Sequence, residues 1–474
     1  MEERQNLESA PPRTPLWARL FAPVDIASLV CFRIAFGVLM MVEVGRYIPR
    51  IGRYYIDPAF NFTYYGFEWV KALPGDWMYV HFGVLGLAAL CVTIGLCYRL
   101  AAAVFFAGFS YMFLLEQARY LNHIYLLCLI AFLMIFVPAH RAFSVDAWLR
   151  PKLRSRTVPA WALWLIRLQI GIPYFYGGLA KINHDWLHGE PMRMWLAKRA
   201  DGTLLGPLMT EEWVVYFFSY GGLLFDLLIV PAMLWRRTRP FAFVAALGFH
   251  FINGNIFSIG IFPWVMAAAT LMFFPPDWPR RLRDHTARAL GLVVAEPAAA
   301  APRPPPPSRP TRKQKYLLAF LAAYTSWQLL FPLRHWLYPG DVAWTEEGHK
   351  FSWRMKLRDK SGTAVFYATD PASGETWKVD LRSRVKRWQL SEMTGRPEMI
   401  LELAHHIGAQ LEAEGTPDVE IRVHAWTSVN GRPKQLLIDP EVDLMKVERS
   451  LFPASWIRPE APLDPAVAAR LSEM

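Results

Sequence analysis

Long apolar runs broken by short polar turns fill most of the first 336 residues. Nine runs lie near 26–47, 78–97, 99–117, 123–139, 160–182, 213–235, 240–257, 259–275 and 315–334. Their lengths lie close to the roughly 17–25 residues a helix needs to cross a hydrocarbon core. The segment Ala298–Pro310 (AAAAPRPPPPSRP) is too proline-rich for a helix and reads as an exposed linker before the last run. Beyond Trp336 the apolar runs shorten. Val419, Ile421, Val423 and Ala425 alternate with Glu420, Arg422, His424 and Trp426, which predicts a strand. Asn430-Gly431 offers a hairpin turn before QLLID, and 387–413 reads as a helix. The pattern predicts a polytopic α-helical membrane protein with about nine transmembrane helices and a small α+β extracytoplasmic C-terminal domain. The expected divisions are a cytoplasmic tail 1–25, a transmembrane domain 26–336 with a Pro-rich cytoplasmic loop 276–314, and the extracytoplasmic domain 337–474. No internal repeat is evident.

Composition agrees. The chain is 54% hydrophobic with 20 Trp and 31 Phe, which argues against a soluble domain of this size. The net charge of +11 sits largely in loops beside apolar runs. Membrane topology and anionic lipid therefore explain it better than nucleic acid, which is not expected as a partner. RPKLRSR at 150–156, RRTR at 236–239 and the basic loop 280–315 all fall on one side, so the N-terminus is expected inside and the C-terminal domain outside. A multi-pass protein of a bacterial inner membrane is the expected localisation. The polar N-terminus lacks a cleavable signal pattern, so the first span is expected to act as an uncleaved insertion signal. Cys31, Cys91, Cys97 and Cys128 have no CxxC spacing and read as small buried hydrophobes.

Polar groups within apolar spans are costly and are candidates for function. YFYGGLAKINHDW places Lys181 at the outer end of the fifth span, YLNHIYLL places Asn122 and His123 at the outer end of the fourth, and GFHFINGNIFSIGIF places His250 and Asn253 near that of the seventh. Three spans distant in sequence thus present Lys, His and Asn at one depth. A snorkelling lysine, satisfied core histidines and a helix-capping asparagine are the structural alternatives. Gly177-Gly178 lets a backbone or a flat ligand come close. Arg33 and Asp226 read as pairing with neighbours in the bundle. His184 and His188 are four apart, but the HExxH glutamate is absent and no metal is expected. His405-His406 reads as a solvated helix face. A buried lysine that loses hydration becomes a general base or a Schiff-base nucleophile. In a lipid-accessible cavity it suits a lipid-soluble acid such as a hydroquinone.

Ordered segments carry a family resemblance. They are DIASLVCFRIAFGVLM (25–40), LPGDWMY (73–79), GLCYRL (95–100), LNHIYL (121–126), YGGLAKINHDWLHGE (176–190), GGLLFDL (221–227), FHFINGNIFSIGIF (249–262), PPDWPR (275–280), FSWRMK (351–356) and AWTSVNGRPKQLLIDPEVD (425–443). The chain resembles the vitamin K-dependent γ-glutamyl carboxylases, whose membrane part (the HTTM-like domain) recurs in bacterial proteins. The resemblance implies oxidation of reduced vitamin K, a phylloquinone or menaquinone hydroquinone, to the 2,3-epoxide by O₂. This is coupled to CO₂ addition at the γ-carbon of glutamate in a peptide or protein substrate, without a metal. It implies Lys181 as the base for the hydroquinone and Asn122 with His123 as the pair that positions the oxygenated quinone. His250, Asn253, Phe257 and Ser258 then line the quinone region, Met355 and Trp353 form the quinone- and glutamate-facing wall, and His335 matches a histidine past the last span.

Departures are also implied. Gly348 and His349 replace a leucine-tyrosine pair tied to glutamate recognition, and a methionine pair becomes Met355-Lys356. Half of a cysteine bridge is missing, and the β-rich portion that follows in vertebrate members is not expected. Quinol oxygenation is thus better kept than glutamate recognition. An epoxidase without peptide carboxylation, a non-enzymatic transporter or scaffold, and another lipid-modifying enzyme remain the alternatives.

Overall fold

The computed structural model describes residues 15–202, 204–257, 260–293 and 309–462. Each apolar run lies on a helix: α1 (Ala27–Tyr47), α2 (Trp77–Ile94), α3 (Tyr98–Leu114), α4 (Asn122–Phe136), α5 (Ala160–Ala180), α6 (Glu212–Leu234), α7 (Arg239–Phe257), α8 (Phe262–Thr270) and, after the amphipathic α9 (Trp278–Ala289), α10 (Arg312–Leu330). Among the described residues, four helical segments, Ala27–Arg50, Trp77–Ile94, Glu212–Leu234 and Arg312–Leu337, are long and apolar enough to cross a membrane. Tyr98–Leu114, Asn122–Phe136 and Phe262–Phe273 are apolar but shorter. The Pro-rich expectation at 298–310 falls mostly outside the described residues.

The helices pack largely with their sequence neighbours. α1 packs on α2, α2 on α3 and α3 on α4, while α5 pairs with α6 and α8 returns to α1. Their shared core includes Phe36, Met40, Phe82, Phe105, Phe109, Leu127, Ile130 and Ile166. Arg33 is fully buried there because Ala139 and Phe143 carbonyls accept from its guanidinium at 2.9 and 2.6 Å. The ion is thus compensated by backbone dipoles. All four cysteines are free thiols.

The C-terminal region carries a four-stranded antiparallel sheet in the order β4-β3-β5-β6. Its strands are β3 (Lys360–Thr369), β4 (Thr376–Lys378), β5 (Glu420–Val429) and β6 (Gln435–Leu436). A separate two-stranded ribbon, β1 (Pro23–Asp25) with β2 (Thr157–Pro159), ties the start of α1 to the start of α5. In β5, Ile421, Val423, Ala425 and Val429 are buried, as the alternation predicts. The expected turn forms: Asn430 and Gly431 take positive φ of 51° and 78°, and the Arg432 N–H donates to the Val429 carbonyl at 3.1 Å, with β5–β6 pairing resuming at Thr427↔Gln435. The helix expected over 387–413 is two, α11 (Arg387–Met393) and α12 (Pro397–Ala413). Pro397 lacks an N–H and can only start a helix, which forces the break. β3 and β4 were not predicted.

The sheet core takes Phe62 and Ala118 from connections of the bundle into one cluster with Ile400, Leu403 and Ile421, and the Thr63 N–H donates to Glu402 at 2.7 Å, so the C-terminal region docks on those connections. This corrects the reading of His405-His406. His405 Nε2 meets the Leu444 carbonyl at 2.9 Å, and His406 stacks on Phe60 at 4.2 Å. Neither is a solvated face.

Candidate functional site

A cavity of about 590 Å³ lies where α4, α5, α6 and α7 meet the segment 346–358 of the C-terminal region. Asn122, His123, Lys181, His250, Asn253 and Met355 all line it. The three spans expected to present polar groups at one depth therefore share one space, and the C-terminal region closes over it. His335 and Trp353 do not line it. His335 Nδ1 meets the Pro332 carbonyl at 2.8 Å, and Trp353 packs on Tyr125 behind the wall with its ring 1% exposed. Ser258 and the side chain of Phe257 lie outside the described residues.

Lys181 is the residue just past α5 and is 7% exposed. Its Nζ donates to Asp226 Oδ2 at 2.5 Å and to the Gly177 carbonyl at 3.2 Å. It also lies 5.2 Å from the centre of the Trp186 ring. Asp226, on α6, is 6% exposed. Snorkelling is therefore excluded, and so is an isolated amine. The glycines before Lys181 explain the approach. A Cβ on Gly178 would stand 3.1 Å from the Leu227 nitrogen, and one on Gly177 3.1 Å from Asp226 Oδ2. The absence of a side chain at both positions favours the close approach by which α6 brings its carboxylate to the amine.

His250 is buried on α7, its Nε2 2.6 Å from the Tyr174 hydroxyl. The Phe262 ring centre lies 5.4 Å from that of His123 and 6.1 Å from that of His250. Asn122 Oδ1 accepts from Tyr120 at 2.8 Å, and its Nδ2 reaches the Arg354 carbonyl at 3.4 Å. Flat apolar surface and hydrogen-bonding groups thus alternate around the cavity, and its volume suits a small organic molecule.

The outer wall is cationic, with Lys350, Arg354, Lys356, Arg358 and Arg396 facing the cavity. Lys350 pairs with Glu398 at 2.9 Å and Arg396 with Glu392 at 2.6 Å. Burial raises the Glu346 carboxyl, but Arg358 and Lys360 outweigh it and hold that group well below the usual carboxylate range. Burial pushes Lys360 down to about 8 and the His349 imidazole well below its ordinary value. Burial also lowers Arg354, to about 10. Gly348 has φ +70°, and a Cβ there would stand 2.6 Å from His335 Cα. A leucine at this position does not fit this backbone.

His184 and His188 stack on each other at 4.2 Å, and no group of three potential metal ligands occurs among the described residues. The sequence reading missed three features. Asp226 was assigned a structural pairing, although an acid inside an apolar span is itself a functional signal. The Tyr174–His250 contact and the cationic wall carry no local motif.

Residues 21–278 match the family model of the HTTM domain. Residues 313–462 match that of the vitamin K-dependent gamma-carboxylase lumenal domain. No solved structure matches the chain. The two matches follow one another along most of the sequence and meet in space at the cavity. The chain belongs to the vitamin K-dependent γ-carboxylase family.

Proposed function

We propose that this protein oxidises a reduced vitamin K to its 2,3-epoxide with O₂ and couples that oxidation to carboxylation of a peptide glutamate. The observation that carries the reading is the buried Lys181–Asp226 pair in a cavity shared with Asn122 and His123. The residues present fit a hydroquinone: Phe249 and Phe262 offer flat apolar surface, and polar groups stand at the rim. When bound, a reduced vitamin K supplies the driving force, through its oxidation by O₂, to remove a glutamate γ-proton that no side-chain base can take.

The chain's own residues do the rest. Lys181 Nζ donates to Asp226, so a proton passed from Nζ to that carboxylate frees the amine to take the proton of an acidic hydroxyl placed against it. Trp186 and the close packing of α5 on α6 keep water from the pair. Asn122, fixed by Tyr120 and the Arg354 carbonyl, presents its amide to the same space. The cationic outer wall supports the second half of the reaction, because it attracts a glutamate carboxylate toward the cavity from the C-terminal side.

The reading includes about nine membrane crossings over 26–336, an internal N-terminus and an extracytoplasmic domain from 337, in a bacterial inner membrane. Epoxide formation from reduced vitamin K by membranes holding the protein, lost in Lys181→Ala, tests the first half. Labelled bicarbonate with a Glu-rich peptide tests the second. Full epoxidation by Lys181→Ala overturns the assignment of the base. Epoxidation without label in the peptide leaves a quinol epoxidase, which the steric exclusion of leucine at Gly348 favours as the second reading.

A further inference from the structure

A second cavity, of about 450 Å³, opens at the other ends of α4 and α5 from Lys181. Three stretches of chain meet there: the loop leaving α4, the segment leading to α5, and the start of α9. Arg141, Arg154, Arg156 and Arg280 line it. The loop is held in shape. The Arg33 guanidinium binds the Ala139 and Phe143 carbonyls from beneath, and the Ser155 N–H donates to the Arg141 carbonyl at 3.0 Å. The Ile26 N–H donates to the Arg156 carbonyl at 3.1 Å, beside the β1–β2 ribbon.

The charge in this cavity is not balanced. Arg280 Nε lies 2.9 Å from Asp25 Oδ2, while Arg154 Nε donates to the Ala147 carbonyl at 2.9 Å. Among the described residues Arg141, Arg154 and Arg156 have no carboxylate partner. The rim is apolar. Phe143 is 82% exposed at φ +47°, and Trp148 is 70% exposed. α9 runs from the cavity with Leu282, and Leu290 just past its end, exposed beside its arginines, the pattern of a helix lying in a membrane surface.

We propose that this cavity binds the phosphate of an anionic phospholipid, with the acyl chains running out past Phe143 and Trp148. Guanidiniums suit phosphate because they form paired, charge-assisted hydrogen bonds. Exposed aromatic rings at the edge of a basic pocket match the boundary between headgroup and hydrocarbon. A free phosphate ester shares the headgroup chemistry but gives the exposed rings no partner. The inference rests on the membrane reading, not on the catalytic one, and activity is not its readout.

The test uses the full-length protein in detergent. Retained phosphatidylglycerol and phosphatidylcholine are compared by native mass spectrometry, with and without millimolar inorganic phosphate. Phosphatidylglycerol is expected to be retained over phosphatidylcholine and not displaced by phosphate. Its retention is expected to fall roughly tenfold or more in Arg141→Gln/Arg154→Gln/Arg156→Gln, because each cation near an anionic surface contributes on the order of 1 kcal/mol. Arg281→Gln/Arg288→Gln, on α9 outside the cavity, is expected to lower it far less, because those side chains do not line the cavity. Equal retention of the two lipids, displacement by phosphate, or equal loss in the α9 variant overturns the proposal. Should the triple variant fail to fold, Arg156→Gln alone is measured, and unchanged retention there is equally fatal. Reversed insertion leaves these readings unaffected and is read separately, by protease access to loop 276–314 in sealed vesicles.

Discussion

Neutralising Asp226 addresses the pair on which the catalytic reading depends. In Asp226→Asn the side chain keeps its shape while Lys181, 7% exposed, loses the carboxylate at 2.5 Å. The Gly177 carbonyl and the Trp186 ring are then its remaining close partners, and neither carries a full charge. Removing one member of a buried ion pair strands the other and costs about 3–5 kcal/mol, whereas replacing both with apolar groups of similar volume is often near neutral. Asp226→Asn, Asp226→Leu and Lys181→Met should therefore each destabilise by about 3–5 kcal/mol, and Lys181→Met/Asp226→Leu should return to within about 2 kcal/mol of the parent. The assay is thermal unfolding in one detergent followed by tryptophan fluorescence, with epoxide formation measured on the same preparations. Activity separates the pair's chemistry from its structural role: the double variant should recover stability and remain inactive. Additive single effects, or an active double variant, would refute the argument that the two side chains form one proton-handling unit.

Three further outcomes are expected. Gly178→Ala places a methyl against the Leu227 nitrogen and side chain, so α5 and α6 must part; overpacking of this kind costs about 1–3 kcal/mol, and epoxidation should fall along with the unfolding temperature. Tyr174→Phe leaves buried His250 without its 2.6 Å partner, which should cost about 1–3 kcal/mol in unfolding measurements, and an unchanged midpoint would show that the contact is not formed. Burial outweighs Arg449 and Thr63 and raises the Glu402 carboxyl from 4.5 to about 7, so its contribution to stability is full below about pH 4.5 and is lost as the pH rises through 7. That loss is on the order of 3 kcal/mol, and Glu402→Gln should flatten it in unfolding midpoints taken from pH 5 to 8. Glu398, on the same helix, is the contrast: burial raises it, but Lys350, Gln117 and Arg449 outweigh that and hold it at about 2, so it stays ionised across this range.

Membrane insertion dictates much of what the sequence by itself determined. Hydrocarbon tolerates few polar groups, so helices appear where the apolar runs are, and Lys181, Asn122, His123 and His250 stood out by violating the rule. β5 was legible for a related reason, since one buried face imposes a period of two on Ile421, Val423 and Ala425. Strand β3 was not, because Lys360, Ser361 and Gly362 at its start break that period and the partner of Lys360 is 69 residues away, at Val429. The break before Pro397 was readable from the proline but was hidden by helical periodicity on both sides. Tertiary structure alone decided that Asp226 meets Lys181, because the approach depends on two glycines on α5 and a carboxylate on α6, 45 residues further on. It likewise decided that Trp353 and His335 stand behind the cavity wall, and that five cations from residues 350–396 face it. Local pattern encodes which groups are out of place in an apolar solvent. Which of them meet is settled by the packing of helices that the chain brings together only when folded.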